Sequence, residues 1–413
     1  METMPSLLFL TQRIPYPPIK GEKIRPLQIL KHLRQSYDVH LGCLVDDPRD
    51  REHIPTVRAL CADSHFAMLD RRRAKLTCLR GLLTGEPLGV TFYRDRGLAA
   101  WVRRVIRDIR PDVIFVCSSN MAPYVLDLRG AERVCLVDLA DVDSEKWRAY
   151  AETGSAAMRW VHRREWRLTA ALEGRIAREC DWSSFVSPEE AALFASQHPA
   201  QAGRIRAVSS GVDHGYFDPA SDFPALYETD RPNFVFTGTM DYRPNVDAVL
   251  WFAESIFPVI RRTEPAAQFH IVGSSPAAEV QALAALPGVF VTGRVADVRP
   301  YLAHATAGVA PMRIARGIQN KVLESMAMAR PTVVTGDALA GIAAAPGTEV
   351  LLADTPEDFA AACLSLCGAP GAAAGVAIGV AARRRVLADY VWAERLRGFD
   401  TLLDTPRPTE TTA

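Results

Sequence analysis

The amino-acid sequence predicts an α/β protein made of two successive parallel sheets. Three observations carry this: short β-branched or apolar runs alternate with helical patterns along the whole chain, the alternation stops once in a Pro, Asp and Ser cluster, and it then restarts. In the first half the strands read Ser6 to Leu10, Asp38 to Leu44, Asp112 to Cys117, Arg133 to Val137, Trp182 to Ser187 and Ile205 to Val208. Helical patterns lie between them at 22–36, 51–61, 94–109 and 157–179, the last with Arg159, Arg163, Arg164 and Arg167 against Glu165 and Glu173. The break is Phe217-Asp218-Pro219-Ala220-Ser221-Asp222-Phe223-Pro224. After it the strands read Phe234 to Thr237, Phe269 to Val272, Val289 to Val291, Gly308 to Ala310, Thr332 to Val334 and Val350 to Leu352. A chain of 413 residues asks for two or three domains. The expected division is a domain over 1–219, a linker over 220–232, a second domain over 233–388, and a C-terminal helix and tail over 389–413 that is a candidate to pack back on the first domain. Each sheet places its ligand loops at the carboxyl ends of its strands, so a facing pair makes an interdomain cleft.

Composition narrows the function classes. A 48% hydrophobic and 23% charged content excludes disordered, collagen-like and coiled-coil chains. Lysine plus arginine and aspartate plus glutamate number 48 each, so no global polycation exists to drive nucleic-acid binding. The neutral total conceals an asymmetry: residues 1–219 hold 32 basic against 28 acidic side chains, and the remainder 16 against 20. Clusters such as Arg71-Arg72-Arg73-Ala74-Lys75 and Arg103-Arg104 with Arg107 point the first domain toward anionic lipid headgroups, or form a solvated basic face.

The eight cysteines are scattered, several within apolar runs, and read as buried thiols of a reducing cytoplasm; Cys363 and Cys367 lack the companions of a zinc site. The N-terminal apolar stretch is four residues long with no basic region before it, a strand rather than a signal peptide. The uncharged run from Phe359 to Ala382 is divided by Gly368, Pro370, Gly371, Gly375 and Gly379, and reads as two helices around a turn. Thr355-Pro356-Glu357-Asp358 caps the first of them.

The most informative stretch runs from Gly317 to Val334, through Asn320, Lys321 and Glu324 to Arg330-Pro331. A helix begins after a glycine and ends before a proline that leads into a buried strand. Its N-terminal amides favour a diphosphate, and Lys321 adds a point charge. Glu324 shares a face with Lys321 and is suited to accept hydrogen bonds from sugar hydroxyls; the plain alternative is a solvated pair at i and i+3. Strand-ending Gly238 opens Thr239-Met240-Asp241-Tyr242-Arg243-Pro244, the geometry of a phosphate loop, in which Arg243 is the basic side chain available or a plain surface arginine.

These residues resemble the donor-binding segment of glycosyltransferase family 4, and the resemblance spans nearly the whole chain. It implies two facing Rossmann-like domains, the GT-B fold. It matches Glu324 to a ribose-binding glutamate, while Arg316 stands where a sugar-contacting glutamate is usual. Ser210-Gly211-Val212-Asp213 through Phe217-Asp218-Pro219 resembles the segment closing the first domain, and Phe185-Val186-Ser187-Pro188-Glu189-Glu190 the strand-Ser-helix element before it. Val291-Thr292-Gly293-Arg294-Val295 resembles the loop whose backbone meets the base, and Gly21 a glycine loop bordering sugar and diphosphate, with Glu22 replacing a second glycine. The resemblance thus assigns donor binding to Gly21, Gly238, Arg243, Arg294, Asn320, Lys321 and Glu324. Many family members carry a histidine near the strand ending at Val137; here Asp138 and Asp141 are the polar candidates, Asp141 foremost. The Asp141-x-Asp143 pair also suits a divalent-metal motif of the other glycosyltransferase fold, and Asp143 or Ser144 suits a helix cap.

The run Asp141-x-Asp143-Ser144-x-Lys146-Trp147 most resembles sugar transferases associated with PEP-CTERM/exosortase systems of exopolysaccharide-producing bacteria. The expected activity is retaining transfer of a sugar from a nucleotide-diphosphate donor to a glycan or polyprenyl-diphosphate-linked acceptor, without metal or cofactor, in the cytoplasm and peripheral to the inner membrane. Arg316 and the missing histidine keep two alternatives: a non-catalytic nucleotide-sugar or glycan binding protein, and a nucleotide-sugar epimerase of the same fold.

Overall fold

Short runs of at most eight residues, mostly apolar and bounded by turn residues, fold as parallel strands. The computed structural model describes residues 4–18, 21–82, 85–128, 130, 133–152, 155–315 and 317–404. Its first sheet has seven parallel strands: β1 Ser6–Thr11, β2 Asp38–Val45, β3 Asp63–Met68, β4 Val113–Cys117, β5 Val134–Ala140, β6 Trp182–Phe185 and β7 Ile205–Ala207, in the order β3-β2-β1-β4-β5-β6-β7. The second has six: β8 Asn233–Thr237, β9 Gln268–Val272, β10 Val289–Gly293, β11 Ala307–Ala310, β12 Thr332–Val334 and β13 Leu351–Leu352, in the order β10-β9-β8-β11-β12-β13. Both orders reverse direction beside the first strand, between β1 and β4 and between β8 and β11. Such switch points are where parallel sheets open a crevice at their carboxyl ends.

The strand missing from the sequence reading is β3. Asp63-Ser64-His65-Phe66-Ala67-Met68 mixes polar with apolar residues because it lies at the sheet edge, where only Ala67 is fully buried. The chain divides into two compact units, one from the N-terminus to Ser209 plus Leu396 onward, the other Ser210–Arg395. This division lies before Pro219, the boundary read from composition. The reason is local packing: Gly211 is backed against Tyr390 and Trp392, and Arg383 donates to the carbonyl of Phe217 and to Asp218. The Pro, Asp and Ser cluster is therefore joined to the second unit.

In the first unit Phe9 packs on Phe115, and Phe115 on Phe399 from the Trp392–Asp404 helix, with ring centres 5.4 and 5.0 Å apart. His32 Nε2 meets Asp400 at 2.8 Å, fixing the same helix. In the second unit Phe252 is ringed by Phe234, Phe257, Phe269 and Phe359. Each buried phenyl contributes about 2 to 3 kcal/mol.

The expected pair of helices around a turn is Pro356–Leu364 and Gly368–Asp389, with Thr355 capping the first by accepting from Asp358 N. Among the described residues no single helix is long and apolar enough to cross a membrane, and this pair, which passes by length and composition, is bent by 99°. Its glycines have a packing reason. A Cβ on Gly379 would stand 2.0 Å from the carbonyl oxygen of Ala329, and one on Gly375 3.3 Å from Pro331. The glycine face thus lies directly against the chain that leaves the Asn320–Ala327 helix, and holds that helix in place.

Candidate functional site

In the second unit the candidate site assembles at the β8/β11 switch point. The Asn320–Ala327 helix starts there, after Gly317 at φ 61°, and Gln319 precedes it without a side-chain cap. Val322 N and Leu323 N donate to the Gln319 carbonyl, while the amides of Asn320 and Lys321 have no acceptor among the described residues. Lys321 and Glu324 are both half-buried rather than solvated. The Lys321 ammonium donates to Gln319 Oε1 at 3.2 Å and lies 5.3 Å from the ring centre of Phe236 on β8. The Glu324 carbonyl accepts from Met328 N, but its side-chain carboxylate has no hydrogen bond or ion pair to any described residue. Burial pulls Lys321 down to about 8 and pushes Glu324 up to about 7, each partly offset by the other's charge. Two ionisable groups are thus held out of water with too few protein partners, an arrangement that a ligand with anionic and hydroxyl groups would complete.

Facing them is the Gly238 loop. Gly238 N donates to the carbonyl of Val272, and a Cβ on Gly273 would lie 1.6 Å from the carbonyl oxygen of Gly238. The two strand ends touch through backbone, which only glycine permits. Asn245, in the first turn of the Arg243–Trp251 helix, is buried; its Nδ2 donates to the carbonyl of Thr239, and its Oδ1 has no partner among the described residues. Asn245 is not among the site residues read from the sequence, because its burial is set by the fold; the visible signal is an amide in the first turn of the helix that follows Gly238. Arg243 opens that helix and is exposed, as is Arg294 after Gly293 at φ 66°; Asn320 is half-buried at the first helical position. Gly238, Asn320, Lys321 and Glu324 all lie around the switch point, whereas Arg294 lies at the end of β10, two strands from β8. Arg316 lies outside the described residues.

The first unit separates its two aspartates. Asp138 accepts from Arg25 Nε at 2.7 Å and Nη2 at 2.8 Å, and from Ser184 Oγ at 2.8 Å, and is only 3% exposed. It holds the Gly21–Leu33 helix onto β5, and its carboxylate oxygens are committed to these partners. Two residues later β5 has a register shift at Ala140, which adopts φ 65°, and the chain emerges with Asp141 exposed. A bulge with a strained non-glycine residue re-aims the side chain that follows. The surrounding protein, then Glu190 and Asp143, push the Asp141 carboxyl up to about 6 even though it keeps contact with water. Asp143 is not the helix cap but the first residue of the Asp143–Ala151 helix, with Val142 at the cap position. Among the described residues no group of three or more histidine, cysteine, aspartate or glutamate side chains gathers as a metal site.

A second strained residue, Ser118 at φ 82°, ends β4. Beside it is a cavity of about 200 Å³ lined by Gln12, Tyr93, Asn120, Asp143, Lys146 and Trp147 among others, a polar pocket with aromatic walls that spacing alone did not reveal. Gly21 opens its helix and is exposed; residues 19 and 20 before it are outside the described set. Glu22 is paired with Arg13, and Lys23 with Asp50 at 2.6 Å, so the charged first turn of this helix is largely neutralised.

Residues 231–368 match the family model of glycosyl transferases group 1. That stretch contains Gly238, Arg243, Arg294, Asn320, Lys321 and Glu324. A search of curated proteins finds no significant match. Among solved structures, sucrose-phosphate synthase from Thermosynechococcus elongatus superposes with a TM-score of 0.71 at 18% identity, covering 96% of this chain and 98% of the other. HepE of Anabaena, in complex with UDP and glucose, gives 0.67 at 13% identity over 97% and 100%. A glycosyltransferase from Rickettsia africae gives 0.62 at 13% over 97% and 100%. The fold is GT-B, two parallel-sheet α/β domains.

Proposed function

We infer that this chain is a glycosyltransferase that takes its sugar from a nucleotide-diphosphate donor. The observation that carries the inference is the half-buried Lys321 and Glu324 pair at the start of the Asn320–Ala327 helix, within the stretch that matches glycosyl transferases group 1. Glu324 accepts from the ribose hydroxyls; Lys321, Arg243 and the free helix amides meet the diphosphate. As the bond from the sugar anomeric carbon to the phosphate oxygen breaks, negative charge gathers on the leaving diphosphate, and these groups stabilise it. That HepE is seen with UDP and glucose supports a nucleotide sugar as ligand.

The acceptor is held by the first unit, at the carboxyl ends of β1, β4 and β5. Asp141 is its acid-base candidate, because a carboxyl near 6 is ionised at neutral pH yet still takes up a proton readily. Front-face displacement, in which the acceptor hydroxyl attacks from the side the diphosphate leaves, retains the anomeric configuration and needs no metal in this reading. The acceptor is a glycan or a polyprenyl-diphosphate-linked glycan of exopolysaccharide synthesis, a reading supported by the Asp141 to Trp147 run and its PEP-CTERM/exosortase resemblance, with the protein working in the cytoplasm.

Calorimetric titration with UDP, GDP and ADP, each beside its monophosphate and nucleoside, tests the donor site. One diphosphate binds tightly to the wild type and at least tenfold more weakly to Glu324→Ala. Equal affinity of both proteins for every nucleotide overturns the assignment.

A further inference from the structure

The helices Asp143–Ala151 and Ala156–Glu179 form a hairpin whose outer end is unlike the rest of the first unit. Its inner side is ordinary packing: Trp147, Tyr150 and His162 lie 5.7 to 6.0 Å apart ring to ring, and His162 Nδ1 is 2.9 Å from the carbonyl of Tyr150. Outward, Tyr150 is 39%, Met158 47% and Trp160 59% exposed. Between the helices an open cavity of about 450 Å³ is lined by Arg148, Ala151, Glu152, Arg159, Arg163 and Trp166. Three guanidinium groups thus stand against one carboxylate in the lining. Arg148 is also engaged by Glu145 at 2.6 Å, and Arg163 is exposed.

Large apolar side chains left in water beside arginines mark a surface that is covered in use. The chemistry here selects the cover. Indole and phenol rings favour the headgroup level of a bilayer, and arginine forks fit phosphate oxygens. The basic clusters singled out by sequence lie on the helices Arg71–Gly81 and Arg96–Asp108 and are poorer candidates, because neither helix exposes an aromatic ring among its described residues.

We propose that this hairpin docks the first unit on an anionic lipid bilayer, seating a lipid phosphate between Arg148, Arg159 and Arg163 with Trp160 inserted at headgroup depth. The inference goes beyond the donor reading and does not depend on it.

Vesicle flotation tests it, with pure phosphatidylcholine against phosphatidylcholine containing 30% phosphatidylglycerol, a composition chosen to supply about the surface charge of a cytoplasmic leaflet. The wild type floats with the anionic vesicles at 50 mM NaCl. Reversing two charges with Arg159→Glu and Arg163→Glu lowers the bound fraction about tenfold or more, and Trp160→Ala lowers it several-fold even at 500 mM NaCl, where apolar insertion remains. Unchanged circular dichroism and an unchanged thermal melt show that these variants are folded. The proposal fails if the wild type stays at the bottom of the gradient, or if the double variant floats as well as wild type. It also fails if replacing Arg71, Arg72 and Arg73 abolishes flotation while the hairpin variants keep it. Binding of inorganic phosphate by the hairpin without vesicle binding would assign the cavity to a free anion and overturn the docking.

Discussion

Replacing Glu324 with glutamine should stabilise the protein and impair it at once. The wild-type carboxyl has an ordinary value of 4.5 and stands at about 7 in the folded chain. A folded value above the unfolded one means that stability is fully present below about 4.5 and is lost as pH rises through 7. The rise from 4.5 to about 7 corresponds to roughly 3 kcal/mol at pH 8.5. Glutamine has nearly the same shape and no charge to desolvate, but its amide is itself left with few partners, so the net gain expected is about 2 kcal/mol. For a domain of this size that is about 4 to 8 °C in Tm at pH 8.5, shrinking toward nothing near pH 4. Calorimetric scans across this range measure it, alongside nucleotide titration at pH 8. Affinity should fall at least tenfold, because an amide offers one acceptor oxygen where the carboxylate offers two. A Glu324→Gln protein with unchanged Tm at every pH, or with undiminished affinity for every nucleoside diphosphate, refutes the reasoning.

Other consequences follow from the same geometry. Diphosphate affinity in the wild type should peak between about pH 7 and 8, since Glu324 must be ionised and Lys321 protonated; titrations from pH 5.5 to 9.5 would instead be flat if neither side chain touches the ligand. Asp141→Asn should lower kcat by about 100-fold or more with little change in donor KM, and should remove the acid limb near pH 6 from the rate profile. Asp138→Asn leaves Arg25 buried without its counter-charge and should cost about 3 kcal/mol of stability in denaturant melts while donor affinity holds. Gly273→Ala forces the ends of β8 and β9 apart and should abolish nucleotide binding or prevent folding of the second unit, judged by titration and circular dichroism.

Much of this architecture was legible because burial writes itself into sequence. Val113-Ile114-Phe115-Val116-Cys117 can only be a strand covered on both faces, and every strand named for the second sheet is present. β3 escaped because an edge strand keeps polar residues and loses the pattern. In the candidate site, glycines were legible where the backbone demands a residue type, as in the glycine that follows β8 and the glycine that opens the way to the Asn320–Ala327 helix. Asp138 and Asp141 were not separable, because spacing places both near one strand end and only the shift at Ala140 sends one inward to Arg25 and the other out to water. The paired state of Asp138 depends on Arg25, 113 residues earlier, a distance no local pattern encodes. The cavity beside Ser118 likewise joins residues from separate strand ends, and strain at a serine leaves no trace in composition.

The central claim is sugar transfer, and product analysis addresses it most directly. Purified protein is incubated with a panel of labelled nucleotide sugars and a bacterial lipid extract, and both the lipid-linked label and the released nucleotide are measured. The account predicts that one donor yields labelled glycolipid with release of an equal amount of nucleoside diphosphate. Tight donor binding without release, or a donor converted to another sugar in the absence of any acceptor, would contradict it.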